Sequence, residues 1–416
     1  MLPNELYEEI EMTSKEAFEL LIKVDNGYEL TKAENKEISC IEEVLWRGIE
    51  KIPESIGIMT GLKWLKVSED APLTSSPMTI PDSIGDLSSL QVLDLSTTQV
   101  SSLPNTIGNL SSLQRLDLSA TQINSLPESI GCLSNLQSLD LSTTQISSLP
   151  ESIENLSSLQ KLDLSSTQIS SLPKSIWNLS GLHNLFLFDT LISSIPDSIA
   201  NLSSLQDLRL GATQISSLPE SIGNLSNLQN LNLSDSQIKS LPESIGNRNL
   251  SNLQSLNLSF TQISSLPESI WKLSSLQNLY LGFTRISSLS ENIWKLSELQ
   301  SLDLNKVPIN VLPRQIGALP RLKCLILENN ILSELPEEIL ALNLEFKNDK
   351  FYGQYDDSGI YIHGLKLKRQ PISLFYQPRE FIIDYYKQLK IDINETKIMG
   401  NRKIRLKTGS VTKLQK

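Results

Sequence analysis

Apolar residues recur along this chain in one fixed phase. From residue 90 to residue 342 they follow Leu-x-x-Leu-x-Leu-x-x-x-x-Ile-x-x-Leu-Pro-x-x-Ile-x-x-Leu-x-x, as in the stretch 136–158. The first leucine of the unit stands at 90, 113, 136, 159, 182, 205, 228, 253, 276, 299 and 322; nine of the ten steps are 23 residues and one is 25. Within a unit the period changes. Leu139 and Leu141 alternate with polar neighbours, which predicts a half-buried strand. Leu149-Pro150 then breaks the strand direction, and Ser152, Ile153 and Leu156 predict a short helical or 3₁₀ return. A unit this small cannot bury its leucines alone, so the pattern requires stacking on the next unit.

The ninth position of the unit is Thr in Thr98, Thr121, Thr144, Thr167, Thr190, Thr213, Thr261 and Thr284, Ser in Ser236, Val in Val307 and Asn only in Asn330. A buried hydroxyl there is expected to hydrogen-bond the backbone of the bend, a structural role.

The ends read differently. Residues 1–37 predict an amphipathic helix through Leu6, Ile10, Ala17, Phe18, Leu21 and Ile22. Residues 38–342 form the repeat array, opening with degenerate units at 49–57 and 78–86 and an insertion over 68–78. Residues 343–390 form a small terminal cap with a helix over 378–389, proline in its first turn. Residues 391–416 carry seven Lys or Arg against Asp392 and Glu395, a basic tail.

The units resemble leucine-rich repeats of the 23-residue Leu-Pro-x-x-Ile-x-x-Leu type. These occur in plant intracellular Ras-group-related proteins and in the repeat domains of Roco-family proteins. The resemblance implies an α/β solenoid, a curved horseshoe with parallel strands on its concave face, between a helical N-terminal cap and a small C-terminal cap. It also implies contact with a protein partner. The segment 359–389 looks like the piece that joins Roco repeats to a GTP-binding domain. The phosphate loop of such a domain needs Gly-x-x-x-x-Gly-Lys-Ser/Thr. Here Gly400 is followed five residues on by Arg405, and Lys407-Thr408 lacks the preceding glycine, so no nucleotide site is expected.

The formal charge of −11, from 47 acidic and 36 basic residues among 416, argues against a nucleic-acid partner. No apolar run is long enough to span a membrane, and the acidic N-terminus is unlike a signal peptide, so a cytoplasmic location is the expectation. The Asn-Leu-Ser triplets at Asn109, Asn155, Asn178, Asn201 and Asn224 then follow from the repeat and not from glycosylation. Three cysteines and two histidines supply neither a disulfide framework nor a zinc set. His183 and His363 have no Ser or Cys partner at a catalytic spacing, so neither an enzyme nor a cofactor is expected.

Candidate contact residues come from the variable fifth, seventh and eighth positions. One set is an aspartate row, Asp94, Asp117, Asp140 and Asp163, on adjacent strands. It reads either as an exposed acidic strip for a basic partner, kept despite mutual repulsion, or as a solubilising residue copied by duplication. The other is an aromatic and basic patch of His183, Phe186, Phe188, Arg209, Phe260, Tyr280, Phe283 and Arg285, the composition of an interaction hot spot. Some of these, Phe260 and Phe283 especially, could instead pack locally. The function expected is non-catalytic binding of a protein partner. The alternatives are a Roco-related regulatory domain acting on a small GTPase or kinase, and a secreted bacterial effector.

Overall fold

The computed structural model describes residues 12–68, 77–348 and 358–390. The basic tail with Gly400, Arg405 and Lys407-Thr408, the residues Leu6 and Ile10, and most of the 68–78 insertion lie outside them. The chain divides into two compact units, Met1–Leu273 and Ser274–Lys416.

The first unit opens with two helices, α1 (Ser14–Asp25) and α2 (Lys32–Cys40). This corrects the single helix expected over 1–37. The chain breaks at Asn26-Gly27, where Asn26 donates its side-chain amide to the Ile22 carbonyl and Gly27 takes φ 93°, open to glycine. Each helix starts with a reciprocal cap. The Thr13 hydroxyl accepts from the Glu16 N–H while the Glu16 carboxylate accepts from the Thr13 N–H, and Thr31 and Glu34 repeat the arrangement. Helix α1 closes the edge of the first strand, β1 (Glu43–Arg47). Trp46 donates its indole N–H to the Ser14 carbonyl at 2.7 Å and meets Phe18 edge-to-face at 5.2 Å.

Strands β2 (Trp64–Ser68), β3 (Val92–Asp94), β4 (Arg115–Asp117), β5 (Ser138–Asp140), β6 (Lys161–Asp163), β7 (Asn184–Phe186), β8 (Asp207–Arg209), β9 (Asn230–Asn232) and β10 (Ser255–Asn257) follow in chain order, each parallel to the last. The register places Leu93, Leu116, Leu139, Leu162, Leu185, Leu208, Leu231 and Leu256 opposite one another in one buried row.

Between strands the chain returns through a 3₁₀ turn. Pro150 sets the entry and its carbonyl accepts from the Ile153 N–H at 3.2 Å, with Ile153 and Leu156 buried, as the sequence predicts. Adjacent returns pack closely. A Cβ built on Gly108 falls 2.5 Å from the Ser129 carbonyl oxygen, so only glycine admits that approach.

The ninth-position hydroxyls behave as expected. Thr144 donates to the Leu141 carbonyl at 2.6 Å, and Thr98, Thr121, Thr167, Thr190, Thr213 and Thr261 make the equivalent bond within their own turns.

The second unit holds β11 (Asn278–Tyr280), β12 (Ser301–Asp303), β13 (Cys324–Ile326), β14 (Phe346–Lys347) and β15 (Gly359–Tyr361), ordered β11-β12-β13-β15-β14, all parallel. Here Asn330 occupies the ninth position and donates to Leu304 of the preceding repeat at 2.7 Å, a reach that Thr lacks. The last repeat is sealed by Gln370 and Tyr386. Gln370 accepts from the Leu335 N–H and donates to its carbonyl, which also accepts from the Tyr386 hydroxyl. A helix occupies 379–390.

Candidate functional site

Strand alternation turns the third, fifth and seventh positions of each repeat away from the leucine row, so these positions make the open face of the sheet. The fifth-position aspartates do not form an exposed, mutually repelling strip, which corrects the expectation. Asp94 is buried. One of its oxygens accepts from the Ser96 N–H at 3.0 Å and the Ser96 hydroxyl at 2.6 Å, and the other accepts from Lys66 at 2.7 Å. Burial pushes this carboxyl up, but Lys66 and the two Ser96 donors together hold it below the usual carboxylate range. Asp117 accepts from the Ser119 N–H and pairs with Arg115 at 3.1 Å. Asp140 and Asp163 accept from the N–H groups of Ser142 and Ser165, and Lys161 lies 3.2 and 3.6 Å from their carboxylates.

The position is a turn acceptor, and its charge is secondary. Asn232 and Asn257 accept from the N–H groups of Ser234 and Ser259 at 3.0 Å in the same way. The cause lies three residues on. The eighth residue of every repeat is left-handed: Thr97, Ala120, Thr143, Ser166, Asp189, Ala212, Asp235 and Phe260 in the first unit, and Phe283, Lys306 and Asn329 in the second, have φ between 52° and 61°. This geometry aims the eighth N–H into the next repeat, as from Thr143 to the Ser165 carbonyl at 2.8 Å, and leaves the seventh N–H to the Asp or Asn side chain.

The aromatic set divides between the units. In the first, Phe186 is half-buried, with Arg209 4.2 Å and Lys161 5.5 Å from its ring centroid. Arg209 also pairs with Asp207 at 2.9 Å. Phe188 is 40% exposed; its ring comes to 3.0 Å of where a Cβ on Gly211 would stand, so Gly211 makes room for it. His183 is half-buried, its Nδ1 enclosed without a hydrogen-bond partner among the described residues. Phe260 is 55% exposed.

In the second unit Tyr280 is only 9% exposed, which corrects its reading as an open contact residue. Phe283 is 37% exposed with Lys306 5.1 Å from its ring centroid, and Arg285 is exposed. Asp303 accepts from the Asn305 N–H at 2.7 Å. Burial lifts its carboxyl to about 6; the Asn305 N–H opposes the shift and the Glu328 charge adds to it.

Sequence reasoning missed the third position, which supplies Arg115, Lys161 and Asp207 although it shares a face with the fifth, and it missed Lys66, which stands at the fifth position of the strand before the row, in register with Asp94. It also missed Leu191, 43% exposed, three residues after Phe188 in the same repeat. Among the described residues no three His, Cys, Asp or Glu side chains are grouped as metal ligands, and no helix is long and apolar enough to cross a membrane.

A family model described as a leucine-rich repeat region matches residues 81–141, 129–217 and 207–280. A leucine-rich-repeat protein of Leptospira interrogans is 34% identical over 75% of this chain and 78% of its own, with TM-score 0.70. An internalin of Listeria monocytogenes is 22% identical over 78% of this chain and 91% of its own, with TM-score 0.65. The repeat ectodomain of a plant membrane receptor kinase from Arabidopsis thaliana, solved in complex with Casparian strip integrity factor 2, is 26% identical over 81% of this chain, with TM-score 0.57. This chain spans about half of that ectodomain. No curated protein matches the chain.

Proposed function

We propose that this chain, which belongs to the leucine-rich-repeat family, is a non-catalytic module that binds a protein partner on the open face of its parallel strands. The observation that carries the reading is the surface around Phe188. Phe188 and Leu191 are exposed on a backbone held rigid by the inter-repeat ladder, where ordering on binding costs little. The plant ectodomain, solved with a factor bound, shares the fold and supports a protein or peptide as the partner class. The structure also shifts the weight among the candidate residues. Phe188, Phe260 and Phe283 are exposed. The aspartate row acts first on its own turns and would touch a partner only through its edges. The 23-residue period and the Pro-capped returns support assignment to the plant Ras-group-related and Roco type of repeat.

The test compares three baits in affinity capture with mass spectrometry: the wild type, Phe188→Glu on the strand face, and Lys174→Glu on the 3₁₀ side. A protein retained by the wild type and by Lys174→Glu but lost by Phe188→Glu is the expected result. Equal retention by all three overturns the strand face as the site.

A further inference from the structure

Every cation on the strand face of repeats 90–260 is committed within the molecule. Among the third, fifth, seventh and eighth positions of these repeats the cations are Arg115, Lys161 and Arg209, paired with Asp117, with Asp140 and Asp163, and with Asp207. Lys66, on the strand before them, is paired with Asp94. Two carboxylates are left over. Asp189 and Asp235 are exposed and form no ion pair among the described residues. Both sit at left-handed eighth positions, with φ 54° and 58°, and their backbone N–H groups donate to Gly211 and Ser259, so their places are fixed.

These two carboxylates stand two strand spacings apart, roughly 10 Å, with Ala212 between them. Phe188 and Leu191 lie in the same repeat as Asp189, and Gly211 adds no side chain to obstruct the approach. The surface thus offers exposed apolar area beside two unmatched negative charges and no unmatched positive one.

Resting on the strand-face reading above, we infer that this surface takes an extended peptide segment that carries a Lys or Arg next to a large apolar residue. The cation lies over Ala212 between Asp189 and Asp235, and the apolar side chain covers Phe188 and Leu191. An acidic segment is rejected, because it would leave both carboxylates facing like charge.

The experiment is selection of random twelve-residue peptides displayed on phage, with the full chain immobilised, followed by fluorescence titration of the enriched peptides. Wild type is compared with Asp189→Asn/Asp235→Asn and with Phe188→Ala/Leu191→Ala; all four side chains are at the surface, and thermal melts confirm folding. Expected are peptides enriched in Lys or Arg adjacent to aromatic residues or Leu, weakened about five- to tenfold by the double Asn change and less so at high salt. They are lost with the double Ala change. Peptides lost with the double Ala change but acidic or neutral, or indifferent to the double Asn change, overturn the cation preference and leave the strand-face reading standing. Peptides that bind all three proteins equally overturn both. Failure to enrich any peptide overturns the inference.

Discussion

The guanidinium of Arg209 lies 4.2 Å from the ring centroid of Phe186 and at the same time donates to both oxygens of Asp207. One cation thus joins two strands, holding the ring from β7 against the carboxylate on β8. Replacing Arg209 by Ala is expected to lower unfolding stability by about 0.5–1 kcal/mol, with Arg209→Lys recovering only part. Urea unfolding of the two variants checks this; an unchanged midpoint for Arg209→Ala would show that the stacking contributes nothing.

Asp140 serves its turn as a hydrogen-bond acceptor, as Asn232 does two residues before Ser234. Asp140→Asn should therefore change stability by less than about 0.5 kcal/mol, while Asp140→Ala should cost about 1 kcal/mol. Equal losses for the two would mean that the Lys161 charge pair, and not the turn bond, is what the position provides.

Gly108 admits the Ser129 carbonyl of the next return at a distance no Cβ allows. Gly108→Ala is expected to destabilise the chain by about 1–3 kcal/mol through forced separation of the two returns. A melting temperature equal to that of wild type would contradict the close approach.

Thr143 has φ 57°, a conformation that disfavours a β-branched residue. Thr143→Gly should raise stability by about 0.5–1 kcal/mol, the reverse of glycine's usual effect. Loss of stability would show that the threonine side chain makes a compensating contact at the bend.

Asp303 ionises near 6 in the folded chain against 3.8 for an unperturbed carboxyl. The folded state therefore holds this proton more tightly than the unfolded state. The contribution is full below about pH 4 and is lost as pH rises through 6. Asp303→Asn should match wild type near pH 4 and exceed it above pH 6, by at most about 2 kcal/mol once partial exposure is allowed for. Calorimetric melts between pH 4 and 8 that run parallel for both proteins would refute the shift.

The repeat itself was legible from the leucine phase, and so were the Pro-capped return and the Thr hydroxyl, because each depends on contacts inside one unit. The left-handed eighth position was not, since Thr, Ala, Ser, Phe and Lys give no sign of positive φ in sequence; only Asp189, Asp235 and Asn329 belong to types that favour it. Without that bend the aspartate row looked free, when its oxygens in fact serve the N–H two residues on. Tyr280 shares the fifth position with Phe186 but is buried, a difference that the pattern of its own repeat does not reveal. The break between α1 and α2 could have been read from Asn26-Gly27 and the Thr-x-x-Glu cap that follows.

Thr144 satisfies the carbonyl of its own bend, whereas Asn330 ties its unit to the one before. The Thr hydroxyl at such a bend makes no tie to a neighbour, and the side-chain link across repeats falls to the next residue, as where Gln145 donates to Gln122 at 2.8 Å, a partner that every Gln-bearing unit can supply. Whole units can then be added or removed from the middle of the chain and the new junction forms the same leucine row and the same ladder. Gain or loss of one unit would therefore shift the Phe188 surface along the array and leave the bonding of each bend as it is.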